Sequence, residues 1–293
     1  MASSVIKIFI QTLLEQKLNI SISSLELSSV GGGSINDTYK ITINHSRHFF
    51  CKINSAKKFP SLFIKEKNGL ELLAKQNIIR TAFVVACEET EAEQILMLEW
   101  IEEGSKTEKF WEIFGEQLAK LHQVPNNYFG LHEDNYMGAL HQQNSRSKNW
   151  TDFFIHQRLK PQIKLAVENN LLEYHHVKQF EHLYKLLPEI FPEEKPSLLH
   201  GDLWSGNFLC DEYNIPHLID PAVYYGNRHI DLAMTTLFDG FDKTFYNSYH
   251  HYFPLPQNHR QIWDLCNLYP LLIHLNLFGK SYLNDILQTI QRY

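Results

Sequence analysis

The first hundred residues alternate between helix-like and strand-like spacing of hydrophobic positions. Residues 4–18 carry apolar side chains at helical intervals, and 61–77, which follows Pro60, has the same spacing. Five segments have the alternation or the short apolar run of strands: 25–30, 38–44, 48–54, 82–89 and 94–101. This order predicts a small, mainly antiparallel sheet with one inserted helix.

Beyond residue 101 the pattern becomes mainly helical. Residues 107–123 place Phe110, Phe114, Leu118 and Leu121 on one helical face. Helical spacing continues at about 149–170 and 174–187, and a polar loop, a short β segment and further helices follow. We therefore predict an α+β fold with two lobes, 1–101 and 102–293, joined by a hinge at 102–106.

Composition and charge restrict the function classes. The 293 residues are 44% hydrophobic with a net charge of -6, so nothing attracts the whole chain to nucleic acid or to an anionic membrane. Cys51, Cys87, Cys210 and Cys266 form no closely spaced pair, which argues against a structural zinc site or a disulfide scaffold. With no convincing signal peptide and no apolar run of about 20 residues, we expect a cytoplasmic protein.

A glycine-rich loop, VGGGSIND, joins the first two predicted strands at 30–37. Glycines let backbone N–H groups approach an anion, but Walker and Rossmann loops open a helix, whereas this loop leads into a strand. A strand-to-strand glycine loop is how a flap covers nucleotide phosphates in kinase-like folds. A flexible hairpin turn is the alternative.

Lys52 lies within the apolar third strand, HFFCKIN. A single strand lysine is more often a surface residue whose stem covers apolar groups. One hairpin after a glycine flap, however, and one element before an acidic helix, Lys52 is better interpreted as a phosphate-binding lysine. Its predicted partner is Glu66, with Glu71 as the second candidate.

The polar loop HGDLWSGN, at 200–207, lies between two apolar runs. After Asn207 the sequence predicts a strand, a turn and a second strand that ends at Asp220. Because the open ends of a hairpin are neighbours, Asn207 and Asp220 should converge close to Asp202. Their oxygens suit Mg²⁺, which leaves Asp202 to accept a proton from an attacking hydroxyl. The alternative is that these residues only cap the loop and its turns.

Other catalytic classes lack their patterns. The serines beside glycine, in GGGSIND and DLWSGN, do not fit the G-x-S-x-G turn of α/β-hydrolases. The histidine pairs contain no HExxH motif, and His200 is better explained as a residue that orders the loop.

The segments HGDLWSGN and DPAVYYGNRHIDLAM strongly resemble the fructosamine kinase (ketosamine-3-kinase) family, relatives of aminoglycoside and choline kinases. The step of five from Asp202 to Asn207 is shared with the protein-kinase catalytic loop. The resemblance implies a protein-kinase-like fold, with a small N-terminal lobe and a larger, mainly helical C-terminal lobe. Further segments resemble the family in the expected order along nearly the whole chain: GGGSIND, FCKIN, FIKEKNGLELL, LEWI, FGLHEDNYMG, NWTDFFIHQRLKPQI and HLNLFGKSYL. FIKEK is less acidic than the family pattern, which leaves the pairing of Glu66 open.

The resemblance implies a set of roles at the nucleotide. Lys52 would bind the α- and β-phosphates and pair with Glu66, while Asn207 and Asp220 would bind Mg²⁺. The phosphates of ATP would be covered by a run of four residues: Gly31, Gly32, Gly33 and Ser34. Glu99 and Ile101 would offer backbone groups to adenine at the hinge.

The resemblance also implies roles at the acceptor. Asp202 would be the catalytic base, Trp204 would line the sugar site, and Asp231, counted with the acceptor site, would brace the catalytic loop.

The implied reaction is ATP-dependent phosphorylation of the 3-hydroxyl of a ketosamine, a fructosyl or ribulosyl amine, with a role in deglycation. The expected partner is a small or protein-bound ketosamine, and the expected state is a monomer or weak dimer. Two alternatives remain: an aminoglycoside, choline or other small-molecule kinase, and a nucleotide-binding pseudokinase. A pseudokinase would be expected to lack at least one of four residues, all of which are present: Lys52, Asp202, Asn207 and Asp220.

Overall fold

The structure, a computed structural model, describes residues 4–31 and 35–293. They divide into two compact units, Met1–Ser105 with Leu209–Asp220 and Lys106–Phe208 with Pro221–Tyr293. Among the described residues, no helix combines the length and the apolar character needed to span a bilayer.

Strands and helices follow the predicted order. The strands are β1 Leu25–Ser29, β2 Asp37–Ile43, β3 Arg47–Ser55, β4 Arg80–Thr81, β5 Val84–Glu89, β6 Glu93–Glu99, β7 Asn135–Met137, β8 Leu140–Gln142, β9 Ser197–Leu199, β10 Phe208–Cys210, β11 Pro216–Leu218 and β12 Tyr224–Gly226. The helices are α1 Ser4–Leu18, α2 Leu62–Ala74, α3 Glu108–Leu121, α4 Trp150–Phe153, α5 Lys160–Glu168, α6 Tyr174–Ile190, α7 His229–Met234, α8 Lys243–Tyr252, α9 His259–Cys266, α10 Leu268–Phe278 and α11 Leu283–Ile290. A π-helical stretch, Phe154–Leu159, joins α4 to α5, and a 3₁₀ turn, Lys280–Tyr282, precedes α11.

The first unit contains a five-stranded sheet in the order β1-β2-β3-β6-β5, with each neighbouring pair antiparallel. One face is covered by α1, whose Ile10, Leu13 and Leu14 pack in the same apolar cluster as Ile41 and Cys51. The predicted antiparallel sheet with an inserted helix is therefore confirmed.

The other face of the sheet lies against α2. In β3, Cys51 points to the α1 side, so alternation turns Lys52 to the α2 side, where it pairs in register with Leu96 of β6. Gln94 fixes the start of α2, because its Oε1 accepts from the Phe63 amide at 2.9 Å and its Nε2 donates to the Phe59 carbonyl at 2.6 Å.

A second sheet in the first unit has the order β10-β11-β4. The sequence placed the whole of 102–293 in the second lobe, whereas the structure includes Leu209–Asp220 in the first unit. The reason is strand pairing, because β11 lies parallel to β4 and the Gly104 amide donates to the Cys210 carbonyl at 2.8 Å.

Helices dominate the second unit. Thr107 caps α3, because its hydroxyl accepts from the Phe110 amide, and this explains why the helix starts directly after the predicted hinge. Phe110 and Phe114 then pack against Phe208, with ring centroids 5.9 and 4.9 Å apart. The hairpin β7–β8 and the pairing of β9 with β12 were not predicted, because strands of three residues show almost no periodicity.

His229 gives the fold a defined acid sensitivity. Its Nδ1 accepts from Trp263 Nε1 at 3.0 Å, and burial, assisted by the charge of Arg228, lowers its pKa to about 3. Below the unfolded value near pH 6.5, the unfolded chain takes up a proton that the folded chain does not. The stability that neutral His229 provides is thus fully present above pH 6.5 and is lost as the pH falls toward 3.

We predict that the free energy of unfolding of the wild type falls below pH 6.5, by up to about 1.4 kcal/mol per pH unit from this one group. His229→Gln, which keeps an acceptor without a titrating ring, should remove that part of the slope in urea unfolding curves recorded from pH 7.5 to 4.5. His182→Gln, at an exposed histidine, is the matched control. Identical slopes for the wild type and His229→Gln would contradict the assignment.

Candidate active site

Lys52 is the centre of a charged cluster in the first unit. Its side chain is 2% exposed, and its Nζ lies 2.7 Å from Glu66 Oε1 and 2.6 Å from Asp220 Oδ1. Glu66 is therefore the contacting partner on α2, whereas Glu71 is largely exposed and pairs with Lys67 at 3.7 Å. The ammonium thus links α2 and the end of the β10–β11 segment to β3.

The charges of this cluster determine its protonation. Burial alone would lower the pKa of Lys52, but the charges of Asp220 and Glu66 outweigh burial and hold that pKa above its usual value. One ammonium cannot fully compensate two carboxylates. Glu66 is the more enclosed of the two acids. Its burial raises its pKa to about 7, because the attraction of Lys52 does not offset the loss of solvent around the carboxylate.

Asp220 has an uncommon backbone. Its φ is 54°, in the left-handed region that aspartate tolerates better than most residues, and Pro221 follows directly. Such conformations cluster at functional sites, where the surroundings maintain them. The side chain remains 40% exposed while it contacts Lys52, so a carboxylate oxygen is accessible to solvent or ligand.

The loop at 200–207 in the second unit holds Asp202 through Asn207. The Asn207 Nδ2 donates to the Asp202 carbonyl at 2.8 Å and to its Oδ2 at 3.0 Å. The Asp202 amide in turn donates to His200 Nδ1 at 3.2 Å. The step of five residues therefore lets the side-chain amide of Asn207 donate to the carboxylate of Asp202. His200 orders the loop through the Asp202 amide, as the sequence predicted.

Two positions in this loop require glycine because other atoms lie where a Cβ would be. Gly201 has a φ of +87°, and a Cβ there would lie 2.1 Å from the Ala222 carbonyl oxygen. A Cβ on Gly206 would lie 2.4 Å from the ring of Trp204. The loop thus packs directly against residue 222, and the indole lies over Gly206.

Asp231 holds the start of the same loop from within the core. It is fully buried, and its carboxylate accepts from the His200 amide at 2.7 Å, from the Gly201 amide at 2.8 Å and from His122 Nε2 at 3.1 Å. Because Asp231 is fully buried, its side chain fits the role of bracing the loop and does not fit direct contact with the substrate that would accept the phosphoryl group. His122 was missed in the sequence because a lone histidine at a helix end carries no pattern.

Trp204 has aromatic neighbours that the sequence did not reveal. Its ring lies 5.8 Å from Phe238, which lies 5.0 Å from His274. Burial lowers the pKa of His274, so its ring is neutral at neutral pH, and its Nδ1 lies 2.7 Å from the Pro270 carbonyl. HLNLFGKSYL was noted as a segment, but neither periodicity nor spacing linked its histidine to Trp204.

The remaining predicted residues that the structure describes lie at or just beyond the ends of β1 and β6. Gly31 is exposed, and a Cβ there would meet no atom within 4 Å; Gly32, Gly33 and Ser34 lie outside the described residues. The Glu99 amide donates to the Phe83 carbonyl at 2.9 Å, and its Oε1 accepts from the Phe83 amide at 2.8 Å. Ile101 follows β6 and is partly exposed, and its role at the hinge stays a prediction.

The expected metal ligands are distributed over both units. Asp220 belongs to the first and Asn207 to the second, so their convergence stays a prediction. Both hydrogen bonds of Asn207 described above use its nitrogen, and its Oδ1 is the atom suited to a cation. In the described part of the chain, no three His, Cys, Asp or Glu side chains group as a metal site.

Comparisons with known proteins identify the family. The family model described as fructosamine kinase matches residues 6–293. The chain belongs to the fructosamine kinase family. An Enterococcus faecium protein that carries the name of a ketoamine kinase is 37% identical and aligns over 97% of this chain and 99% of its own.

Solved structures agree with this assignment. A structure from Haemophilus somnus 129PT, assigned as a fructosamine-3-kinase, superposes with a TM-score of 0.87 at 26% identity over 97% of this chain and 96% of that one. A choline/ethanolamine kinase family protein from Mesorhizobium loti, at 13% identity, has a TM-score of 0.58 over 97% and 92% of the two chains and shows a shared fold alone. The predicted protein-kinase-like fold is confirmed, and family membership makes the chain a phosphotransferase for which ATP is the implied donor.

We predict that Asp231→Asn loosens the start of the loop. The substitution replaces one carboxylate oxygen by an NH₂ group, which would face a backbone N–H instead of accepting from it. The free energy of unfolding should fall by about 1–3 kcal/mol. Hydrogen–deuterium exchange of the His200 and Gly201 amides should become at least about tenfold faster than the loss of global stability alone would make it. Asp285→Asn, at an exposed acid of α11, is the control. Unchanged local exchange in Asp231→Asn would show that the brace is not needed.

Proposed function

We propose that this member of the fructosamine kinase family transfers the γ-phosphoryl group of ATP to the 3-hydroxyl of a ketosamine. The observation that carries the proposal is the buried Lys52 held between Glu66 and Asp220, in a chain that also has the Asp202–Asn207 pair. Phosphoryl transfer depends mainly on positioning and charge neutralisation, and these residues supply both.

On the donor side, Lys52 neutralises the α- and β-phosphates, and Glu66 orients its ammonium. The contact of 2.7 Å supports this role because a lysine shared with a fixed carboxylate keeps one position and stays charged. The glycine run from Gly31 to Ser34 covers the phosphates, and the backbone of Glu99 and Ile101 faces the adenine.

The residues fit a magnesium ion. Asp220 offers a partly exposed carboxylate and Asn207 an amide oxygen, hard ligands of the type that Mg²⁺ shares with nucleotide phosphates. When bound, the ion neutralises charge on the phosphates. Two carboxylates share the single ammonium of Lys52, and this excess of negative charge favours a cation next to Asp220.

On the acceptor side, Asp202 accepts the proton of the hydroxyl that attacks. The Asn207 Nδ2 holds the Oδ2 of Asp202, and the backbone before Asp202 is fixed by Asp231, so the carboxylate is positioned before substrate arrives. The half-exposed ring of Trp204, supported by Phe238, offers a flat apolar surface for the sugar.

The product chemistry suggests the biological role. Phosphate is a far better leaving group than hydroxide, so a phosphorylated hydroxyl beside the ketone makes the sugar–amine adduct prone to elimination and hydrolysis. The amine is then released, which amounts to deglycation.

The identity of the acceptor is tested with purified protein, Mg-ATP and fructosyl-lysine or ribulosyl-lysine. We expect ADP release with both compounds and a phosphate on carbon 3, assigned by ³¹P and ¹³C NMR. An aminoglycoside and choline serve as comparison acceptors. ADP release with either of these but not with ketosamines would overturn the acceptor, and phosphate on another carbon would overturn the position.

Asp202→Asn tests the base. We predict that turnover falls about 100-fold or more, because the amide cannot accept the hydroxyl proton, while the affinity for ATP changes little. Turnover is measured by ADP release and affinity by calorimetry. Asp264→Asn, in a surface ion pair with Arg292, is the control and should keep wild-type turnover. Near-normal turnover in Asp202→Asn would remove Asp202 as the base.

A further inference from the structure

The hairpin β7–β8 buries the amide side chains of Asn135 and Gln142, which lie directly opposite each other in its antiparallel register. Side chains alternate along strands, so Tyr136 and His141 point to the other, more exposed face. A buried amide is costly unless its hydrogen bonds are made. The partners of these two side chains therefore show what the hairpin holds in place.

Gln142 connects three parts of the second unit. Its Nε2 donates to the Ala222 carbonyl at 3.1 Å and to Asn135 Oδ1 at 2.8 Å, and its Oε1 accepts from the Tyr269 hydroxyl at 2.8 Å. The Ala222 carbonyl can only accept, which fixes the orientation of the amide. Burial raises the pKa of Tyr269, so its hydroxyl keeps the proton that it donates.

Asn135 extends the network to the next residue of the same segment. Its Nδ2 donates to the Val223 carbonyl at 2.9 Å, and its Oδ1 also accepts from Asn144 Nδ2 at 3.0 Å. Asn144 is oriented in turn by the fully buried Arg158, whose NH2 donates to its Oδ1 at 2.7 Å. Every amide in the network thus has a defined orientation, and together they hold two consecutive backbone carbonyls.

Ala222 lies against the start of the loop that carries Asp202. Its amide donates to the His200 carbonyl at 2.9 Å, and its carbonyl oxygen would lie 2.1 Å from a Cβ at position 201. The loop start is therefore held through a carbonyl group as well as through its amides. The charge of Asp202 adds to the effect of burial on the pKa of Tyr269, so the network is within electrostatic reach of that carboxylate.

We propose that Gln142 is a positioning residue for phosphoryl transfer. It holds Ala222 against the start of the loop and thereby keeps the Asp202 carboxylate oriented toward the attacking hydroxyl. The inference rests on the proposed function, because it requires Asp202 to be the base. An amide suits this position because it donates to the Ala222 carbonyl and accepts from Tyr269 at the same time, which an apolar side chain of similar size cannot do.

The first test measures the loop without any turnover. Gln142→Met keeps the approximate size of the side chain and removes its hydrogen bonds. We expect hydrogen–deuterium exchange of the Ala222 amide to become at least about tenfold faster than the loss of global stability alone would make it. Gln143→Met, at the exposed neighbouring glutamine, is the control and should leave this exchange unchanged. Unchanged exchange in Gln142→Met would overturn the inference, whichever acceptor the enzyme uses.

The second test asks whether the effect acts through Asp202. Gln142→Met should lower kcat per folded molecule about tenfold, with the KM for Mg-ATP within about twofold of the wild type. In an Asp202→Asn background the same substitution should change kcat less than about twofold, because no base remains to be positioned. A similar loss in both backgrounds would mean that Gln142 does not act through Asp202, and the proposal would fail.

Tyr269→Phe keeps the proposal testable if Gln142→Met does not fold. It removes only the hydroxyl that orients Gln142, so we expect kcat to fall about two- to fivefold and the Ala222 amide to exchange faster. Tyr174→Phe, at an exposed tyrosine, is the control. Unchanged kcat and exchange in Tyr269→Phe would count against the network. A wild type that releases no ADP with any acceptor would refute the proposed function instead, and exchange at Ala222 would still decide whether Gln142 holds the loop.

Discussion

The sharing of one buried ammonium between two carboxylates is the interaction on which the first unit depends. Lys52 comes from the sheet, Glu66 from α2 and Asp220 from a segment far along the chain. Removing the ammonium would leave two acids beside each other in a poorly solvated place, a strongly unfavourable arrangement. The same cluster therefore attaches the late segment Leu209–Asp220 to the early sheet and keeps the cation in one position.

The polar loop at 200–207 in the second unit relies on a different kind of contact, a buried acid that accepts from backbone amides. Asp231 fixes the start of the loop, Ala222 packs against Gly201, and Asn207 fixes the carboxylate of Asp202. None of these three contacts requires substrate. The loop is thus organised without a ligand, which is the condition that the proposed phosphoryl transfer needs if oriented charges and dipoles are to accelerate it.

Two tryptophans of the second unit differ in exposure and surroundings. Trp204 lies over Gly206 with its ring partly exposed, as suits a surface for a sugar. Trp150 is buried among other rings, and its N–H is enclosed without a hydrogen-bond partner in the described chain. Both stand in segments that resemble the fructosamine kinase family, so sequence context alone did not separate the partly exposed indole from the buried one.

The sequence by itself determined the order of elements, the position of Lys52 within β3 and the spacing of Asp202 and Asn207, because each follows from local periodicity or from a short motif. The tertiary structure decided what depends on distant segments meeting. It selected Glu66 over Glu71, placed Leu209–Asp220 with the early sheet and brought His122 to Asp231. It also formed the Trp204–Phe238–His274 cluster and the ring packing around Trp150. Contacts of this kind arise from packing between elements, and the spacing of residues within one element does not encode them.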